Sequence, residues 1–287
     1  MYCPHPSQSR LISEIHSGAS AFPTYDMFVF DSHDYVSKTI SRTKMWDKYK
    51  TNILVSEFAA IRKQERRNSI LLDIGANIGW FTILAASNNV TVNAVEASSL
   101  NSDMIQSSLC VNKFRRQNLF DNVKLHKVAV GANTMNCTLV ARRNNIASPA
   151  SICGHNDPQT VMNDWGRNKG FNDYRIVGEI NMVRIDDIID SEVDIIKIDV
   201  EGNELEVAKG WENIFKAHPP RLVLTEYVPS LIAKISNTSN PLDYLKFFIQ
   251  RGYEIHSEHS KTVVTNEDEL YKWKSRWIND LIIRKRA

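Results

Sequence analysis

Five carboxylates stand at or near the ends of apolar runs: Asp73, Glu96, Asp199, Glu201 and Glu226. The runs, Ile70–Ile74, Thr91–Glu96, Val193–Val200 and Arg221–Glu226, read as buried strands of an α/β sheet. Strand tips are where open α/β sheets bind ligands. Carboxylates there suit a cationic ligand or one rich in hydroxyls, because one carboxylate accepts from both hydroxyls of a diol. Glu96 follows Asp73 by 23 residues, close to the roughly 20 expected of an acid that binds a ribose. Asp199, Glu201 and Glu226 are the candidates for a general base, a role worth about 10²–10⁴-fold in rate. Clustered carboxylates also suit a divalent cation, but no metal site is assigned to them.

The turn that serves these tips is Gly75-Ala76-Asn77-Ile78-Gly79, between the first run and the apolar helical stretch Trp80–Ala86. A strand feeding a helix through glycines presents backbone N–H groups to a ligand. A pyrophosphate fingerprint needs a second glycine where Asn77 stands, so a dinucleotide is disfavoured. What remains, D-x-G-x-x-x-G, pairs an acid with a glycine turn and fits a ligand carrying positive charge.

The 287 residues suffice for one large domain with an appendage. A net charge of +2 does not point to nucleic acid, which stays a less favoured partner than a small-molecule or glycan acceptor. Cys3, Cys110, Cys137 and Cys153 form no C-x-x-C pair, so neither a zinc nor a redox motif is indicated. Cys110 lies in a helical pattern and reads as a small core residue. Met1–Ser20 lacks the pattern of a secretory signal, and no run reaches the ~18 apolar residues of a membrane span. A reducing, cytoplasmic setting is expected.

Residues 1–69 read as an N-terminal extension and 70–287 as the main domain. The extension is expected to be loose or disordered to about Ser20. A short hairpin is then expected, pairing Val29-Phe30 with Tyr35-Val36, and a covering helix from Ser37 to Ala60. Asn122–Val130 reads as the third strand. Asn144–Asn181, with Trp165, Phe171 and Tyr174, is a weakly periodic insertion and the candidate acceptor-recognition region. Lys197, flanked by Ile196 and Ile198, is expected in a structural ion pair. Glu204 is placed between a site role and helix capping. Tyr253–His256 and Thr262–Thr265 read as closing strands, and Asn266–Ile283 as a terminal helix.

Three blocks together resemble the FkbM-type S-adenosylmethionine (SAM)-dependent methyltransferases: Asp73–Gly79 with Thr82; Val95-Glu96 through Asn101, Leu109, Asn112 and Val128–Gly131; and Arg184–Ile188 leading into Ile196–Glu204, with Leu222–Glu226 behind it. Ala97 and Ser108 depart from the usual pattern without removing a charged group. The resemblance implies a class I methyltransferase sheet, Rossmann-like and mostly parallel. It would have seven strands, one antiparallel, with flanking helices, an N-terminal helical appendage and an insertion after the third strand. It implies O-methylation of a hydroxyl on a sugar, glycan or other small acceptor, with SAM as cofactor. Asp73, Gly75, Ala76, Asn77, Gly79, Glu96, Ala129 and Asp199 would contact SAM, with Glu96 on the ribose and Asp199 at the transfer centre. The alternatives are an RNA ribose 2'-O-methyltransferase, which needs a basic groove and a lysine beside the aspartate, and a non-catalytic adaptor of the same fold.

Overall fold

The computed structural model describes residues 3–16, 24–31, 34–115, 120–142, 145–154, 157–160, 162–163, 174–258, 262–273 and 278–286. Where looseness was expected to about Ser20, the described residues include a strand; residues 1–2 and 17–23 lie outside the described residues. β1 (Ser9–Ile15) pairs antiparallel with β2 (Tyr25–Phe30), and all six residues of β2 are buried. The far edge of β2 is met by side chains: Asn112 Oδ1 accepts from Asp26 N and Ser108 Oγ from Phe28 N, both at 2.9 Å. Such bonds between distant residues give no local periodicity to read.

The expected hairpin at Tyr35 is instead the start of a helix, α1 (Tyr35–Thr43), because Asp34 caps it by accepting from Ser37 N. Lys44 then turns left-handed and Asp47 caps a new helix, α2 (Lys48–Glu65), so the covering helix is two helices.

The central unit runs β3 (Ile70–Ile74), α3 (Trp80–Ser87), β4 (Thr91–Val95), α4 (Ser99–Arg115) and β5 (Val123–His126). Next come β6 (Ala129–Val130), β7 (Met135–Arg142), β8 (Asn145–Cys153) and β9 (Tyr174–Val183). Then follow β10 (Ile195–Ile198), α5 (Glu204–Lys209), α6 (Glu212–Ala217), β11 (Leu222–Tyr227), α7 (Pro229–Ile235) and α8 (Asp243–Ile249). The chain closes with β12 (Tyr253–Ser257), β13 (Val263–Val264), α9 (Glu267–Leu270) and β14 (Ile278–Lys285).

The main sheet has the order β13-β12-β14-β11-β10-β3-β4-β5. β5, β4, β3, β10 and β11 are parallel, and β14 runs antiparallel between β11 and β12. This is the expected Rossmann-like class I methyltransferase sheet with the two-residue β13 added at its edge. Both faces are covered. Leu71, Ile195 and Leu222 belong to the core on one side, and Leu72, Ile196 and Val223 to the core on the other.

Three expectations are corrected here. The terminal helix is a short α9 followed by β14, because the slot between β11 and β12 supplies ladder partners on both edges and buries Leu281 and Ile283. The third strand breaks after His126: β5 stays in the main sheet, while β6 joins a second sheet of order β6-β9-β7-β8. That second sheet organises the described part of the insertion; Trp165 and Phe171 lie outside the described residues. Cys110 is not a free core thiol. It bonds Cys3 across 107 positions, and Cys137 bonds Cys153. Cys3 and Cys110, 107 positions apart, leave no spacing signature. Among the described residues, no helix is long and apolar enough to cross a membrane.

Candidate active site

The glycine turn is held between two strand tips. Gly75 and Ala76 both donate to the Val95 carbonyl at the end of β4, at 2.9 and 3.0 Å. On the other side, a Cβ on Gly75 would stand 1.8 Å from the Asp199 carbonyl oxygen, and φ is +73°. Only glycine lets the turn close onto β10. Gly79 opens α3 at φ +91°, and a Cβ there would stand 2.9 Å from Ile105 Cγ1 on α4. It is a packing glycine.

Above this turn lies a cleft of about 220 Å³. Gly75, Ala76, Asn77, Glu96, Ala129, Asp199, Glu201 and Glu226 all line it. Two sequence candidates do not reach it. Gly79 packs on α4, and Asp73 is fully buried below the turn, accepting from Thr82 Oγ1 at 2.6 Å. Burial, the largest influence, raises the Asp73 pKa, and the nearby Lys197 ammonium opposes this.

Glu96 is buried at the tip of β4. Its Oε2 accepts from Asn77 N at 2.8 Å; its Oε1 accepts from Ser98 N at 2.8 Å and Asn101 Nδ2 at 3.2 Å. These bonds fix the carboxylate and leave lone pairs toward the cleft. Burial pushes its pKa up to about 7 against the pull of those donors.

Around Asp199 the carboxyl groups gather. Glu201 sits in the left-handed region at φ 53°, a conformation that costs energy and clusters at functional sites. Burial pushes Glu201 up to about 8, with Asp199, Glu226 and Glu204 adding repulsion. Glu226 also rises to about 8, through burial first and Asp199 second, with Lys50 opposing. Lys50, on α2, pairs with Asp47 at 3.0 Å and with Asp280, the register partner of Glu226 on β14. Glu204 is buried and accepts from Val200 N and Gly202 N at 3.1 and 3.3 Å, which shapes the loop that carries Glu201. Among the described residues, no group of three or more His, Cys, Asp or Glu is arranged to hold a metal ion.

Lys197 links the two levels. Its Nζ donates to the Gly75 carbonyl at 2.7 Å and lies 3.7 Å from Asp73 Oδ1 and 4.0 Å from Asp199 Oδ2.

Sequence reading missed the roof of the cleft. Ala147 on β8 accepts from Asn77 Nδ2 at 3.0 Å and Asn101 Nδ2 at 2.8 Å, and Ser151 on β8 accepts from Asn203 Nδ2 at 3.1 Å. Asn101 Oδ1 and Asn145 Oδ1 are buried at the cleft without a hydrogen-bond partner. Tyr35 and Trp46 stand at the mouth, edge to face with centroids 5.7 Å apart. Asn101, in the first turn after Glu96, was the one of these with a positional signal. Nothing local marks Asn145.

The model of the methyltransferase FkbM domain family matches residues 73–255. No curated protein matches the sequence. Among solved structures, the chain is similar to methyltransferase FkbM from Methylobacillus flagellatus KT, with 17% identity, 87% of this chain and 55% of that one covered, and a TM-score of 0.43. This chain thus spans about half the length of that relative. It is also similar to precorrin-6y C5,15-methyltransferase from Geobacter metallireducens GS-15, with 12% identity, coverages of 85% and 91%, and a TM-score of 0.40. An rRNA methylase from Streptococcus thermophilus matches at 10% identity, coverages of 76% and 87%, and a TM-score of 0.38.

Proposed function

The chain belongs to the FkbM methyltransferase family, and from that premise we propose that it is a SAM-dependent O-methyltransferase acting on a hydroxyl of a sugar, glycan or other small molecule. The observation that carries this reading is Glu96, a buried carboxylate fixed by three donors at the floor of a cleft beside the glycine turn.

The residues present fit the cofactor. Two residues lining the cleft, Asn101 and Asn145, carry buried amide oxygens without donors, and an adenosine supplies hydroxyl and amine donors. Glu96 holds the ribose hydroxyls in this assignment. Gly75, Ala76, Asn77 and Ala129 form the remaining wall, and Asp73 acts one layer below through Lys197. Bound SAM supplies an activated methyl group on a sulfonium, which the carboxyl groups of the cleft favour by charge. The chain's own task is to place the acceptor oxygen and take its proton. Asp199 is the first candidate for that proton, half-exposed at the tip of β10; Glu226 and Glu201 flank it.

The RNA ribose alternative draws on Lys197, 4.0 Å from Asp199. Its ammonium is already committed to Asp73 and the Gly75 carbonyl, so the small-acceptor reading is preferred. As for setting, the two disulfides favour an oxidising compartment over the cytoplasm. The test is calorimetry with S-adenosylhomocysteine, followed by transfer of label from methyl-labelled SAM to hydroxylated small molecules, glycans and RNA. Binding with label on the first two supports the reading; label on RNA alone, or no binding, overturns it.

A further inference from the structure

β8 is an edge strand whose middle is held by something other than a sheet. It pairs with β7 at Asn145 and again from Ala150 to Cys153, but Ile146, Ala147, Ser148 and Pro149 have no register partner there. Pro149 also lacks a backbone donor. Ala147 is nonetheless fully buried. Its position is set by side-chain amides from two separate cofactor-side elements, Asn77 in the glycine turn and Asn101 on α4, which converge on the one carbonyl. Asn203, in the loop after β10, holds the Ser151 carbonyl. Beyond Ser151, the Cys137–Cys153 disulfide fixes the end of β8 to β7 at facing positions, with Cα atoms 4.3 Å apart.

Asn145, at the other end of β8, lines the cleft, and its buried side-chain oxygen has no donor. Leaving such an oxygen unpaired is destabilising, and a bound molecule with an N–H or O–H group removes that cost.

We propose that β8 is a strap closing the nucleoside side of the cleft: Asn101 and Asn203 are positioning residues that latch it through the Ala147 and Ser151 carbonyls, and Asn145 accepts from a donor of the bound nucleoside. This rests on the cofactor reading above. In this proposal the strap lifts as the cofactor exchanges. Its four unpaired residues allow that motion, and the disulfide limits it to the Asn145–Ser151 stretch.

The test measures S-adenosylhomocysteine directly, without turnover. Hydrogen exchange on the full chain, with and without the ligand, reads the amides of 145–151. Stopped-flow dissociation is compared for wild type, Asn203→Ala, Asn145→Ala and the double variant Cys137→Ser/Cys153→Ser. The Cys3→Ser/Cys110→Ser variant, whose disulfide lies away from the strap, serves as control. The expected result is ligand-dependent protection of 145–151. Dissociation should be faster by about three- to tenfold in the Asn203, Asn145 and Cys137/Cys153 variants, the scale of one hydrogen bond, and unchanged in the control. Tight binding with no added protection and unchanged dissociation in all variants overturns the strap while leaving the cofactor reading intact. No binding by wild type overturns the cofactor reading, and the strap with it. The exchange measurement on wild type decides the matter even where a variant fails to fold.

Discussion

Lys197 and Asp73 are register partners on adjacent parallel strands, with the ammonium 3.7 Å from the carboxylate and Asp73 wholly inside the sheet. The same ammonium holds the Gly75 carbonyl. A buried pair therefore fixes the height of the glycine turn. Removing one partner leaves an uncompensated charge, at a general cost of about 3–5 kcal/mol. Lys197→Met and Asp73→Asn should each lower stability on that scale in denaturant unfolding. The double variant should recover part of the loss, because both charges are then gone. Additive losses would show that the pair does not interact.

Glu96 organises three donors and, in the proposed reading, the ribose. Glu96→Ala should weaken S-adenosylhomocysteine binding by about 10–100-fold, the scale of hydrogen bonds to a charged group. Calorimetry reads this, with circular dichroism confirming the fold. Unchanged affinity would remove Glu96 from the cofactor.

Asp199 bears on the chemistry more than on binding. Asp199→Ala should lower kcat by about 10²–10⁴-fold while weakening cofactor binding less than Glu96→Ala does. Glu226→Gln and Glu201→Gln locate the base by comparison: the variant with the larger kcat loss at equal affinity identifies it. Full turnover in all three would exclude a carboxylate base.

The acid pair also predicts a pH dependence. Glu201 and Glu226 are pushed up to about 8, from an ordinary 4.5, chiefly by burial. A raised carboxyl pKa means that the folded chain holds protons which the unfolded chain releases above 4.5. The stability they contribute is full below about pH 4.5 and is lost as pH rises through about 8. Thermal melts should show this decline, and Glu201→Gln/Glu226→Gln should flatten it. A nearby sulfonium favours the ionised forms, so the acid limb of the rate with SAM bound should lie below the titration of the free chain.

Local pattern alone placed the strand–glycine–helix unit and the carboxylates at the strand tips; the mostly parallel sheet came from the family resemblance. Buried strands leave apolar runs, a left-handed turn demands glycine at Gly75, and both signals lie within a few residues. It also put Glu96, Asp199, Glu201 and Glu226 at one cleft, because consecutive parallel strands all end on the same side. Tertiary structure decided what depends on distant partners. Asp73 lies beneath the cleft because Lys197 reaches it from the neighbouring strand. Ile278–Lys285 became a strand because β11 and β12 left a slot for it, and Cys110 found Cys3. The Asn101 and Asn203 amides met the β8 carbonyls across stretches of chain that carry no periodicity. Spacing encodes which face a side chain takes on its own element; which other element waits opposite that face is set only when the whole chain packs.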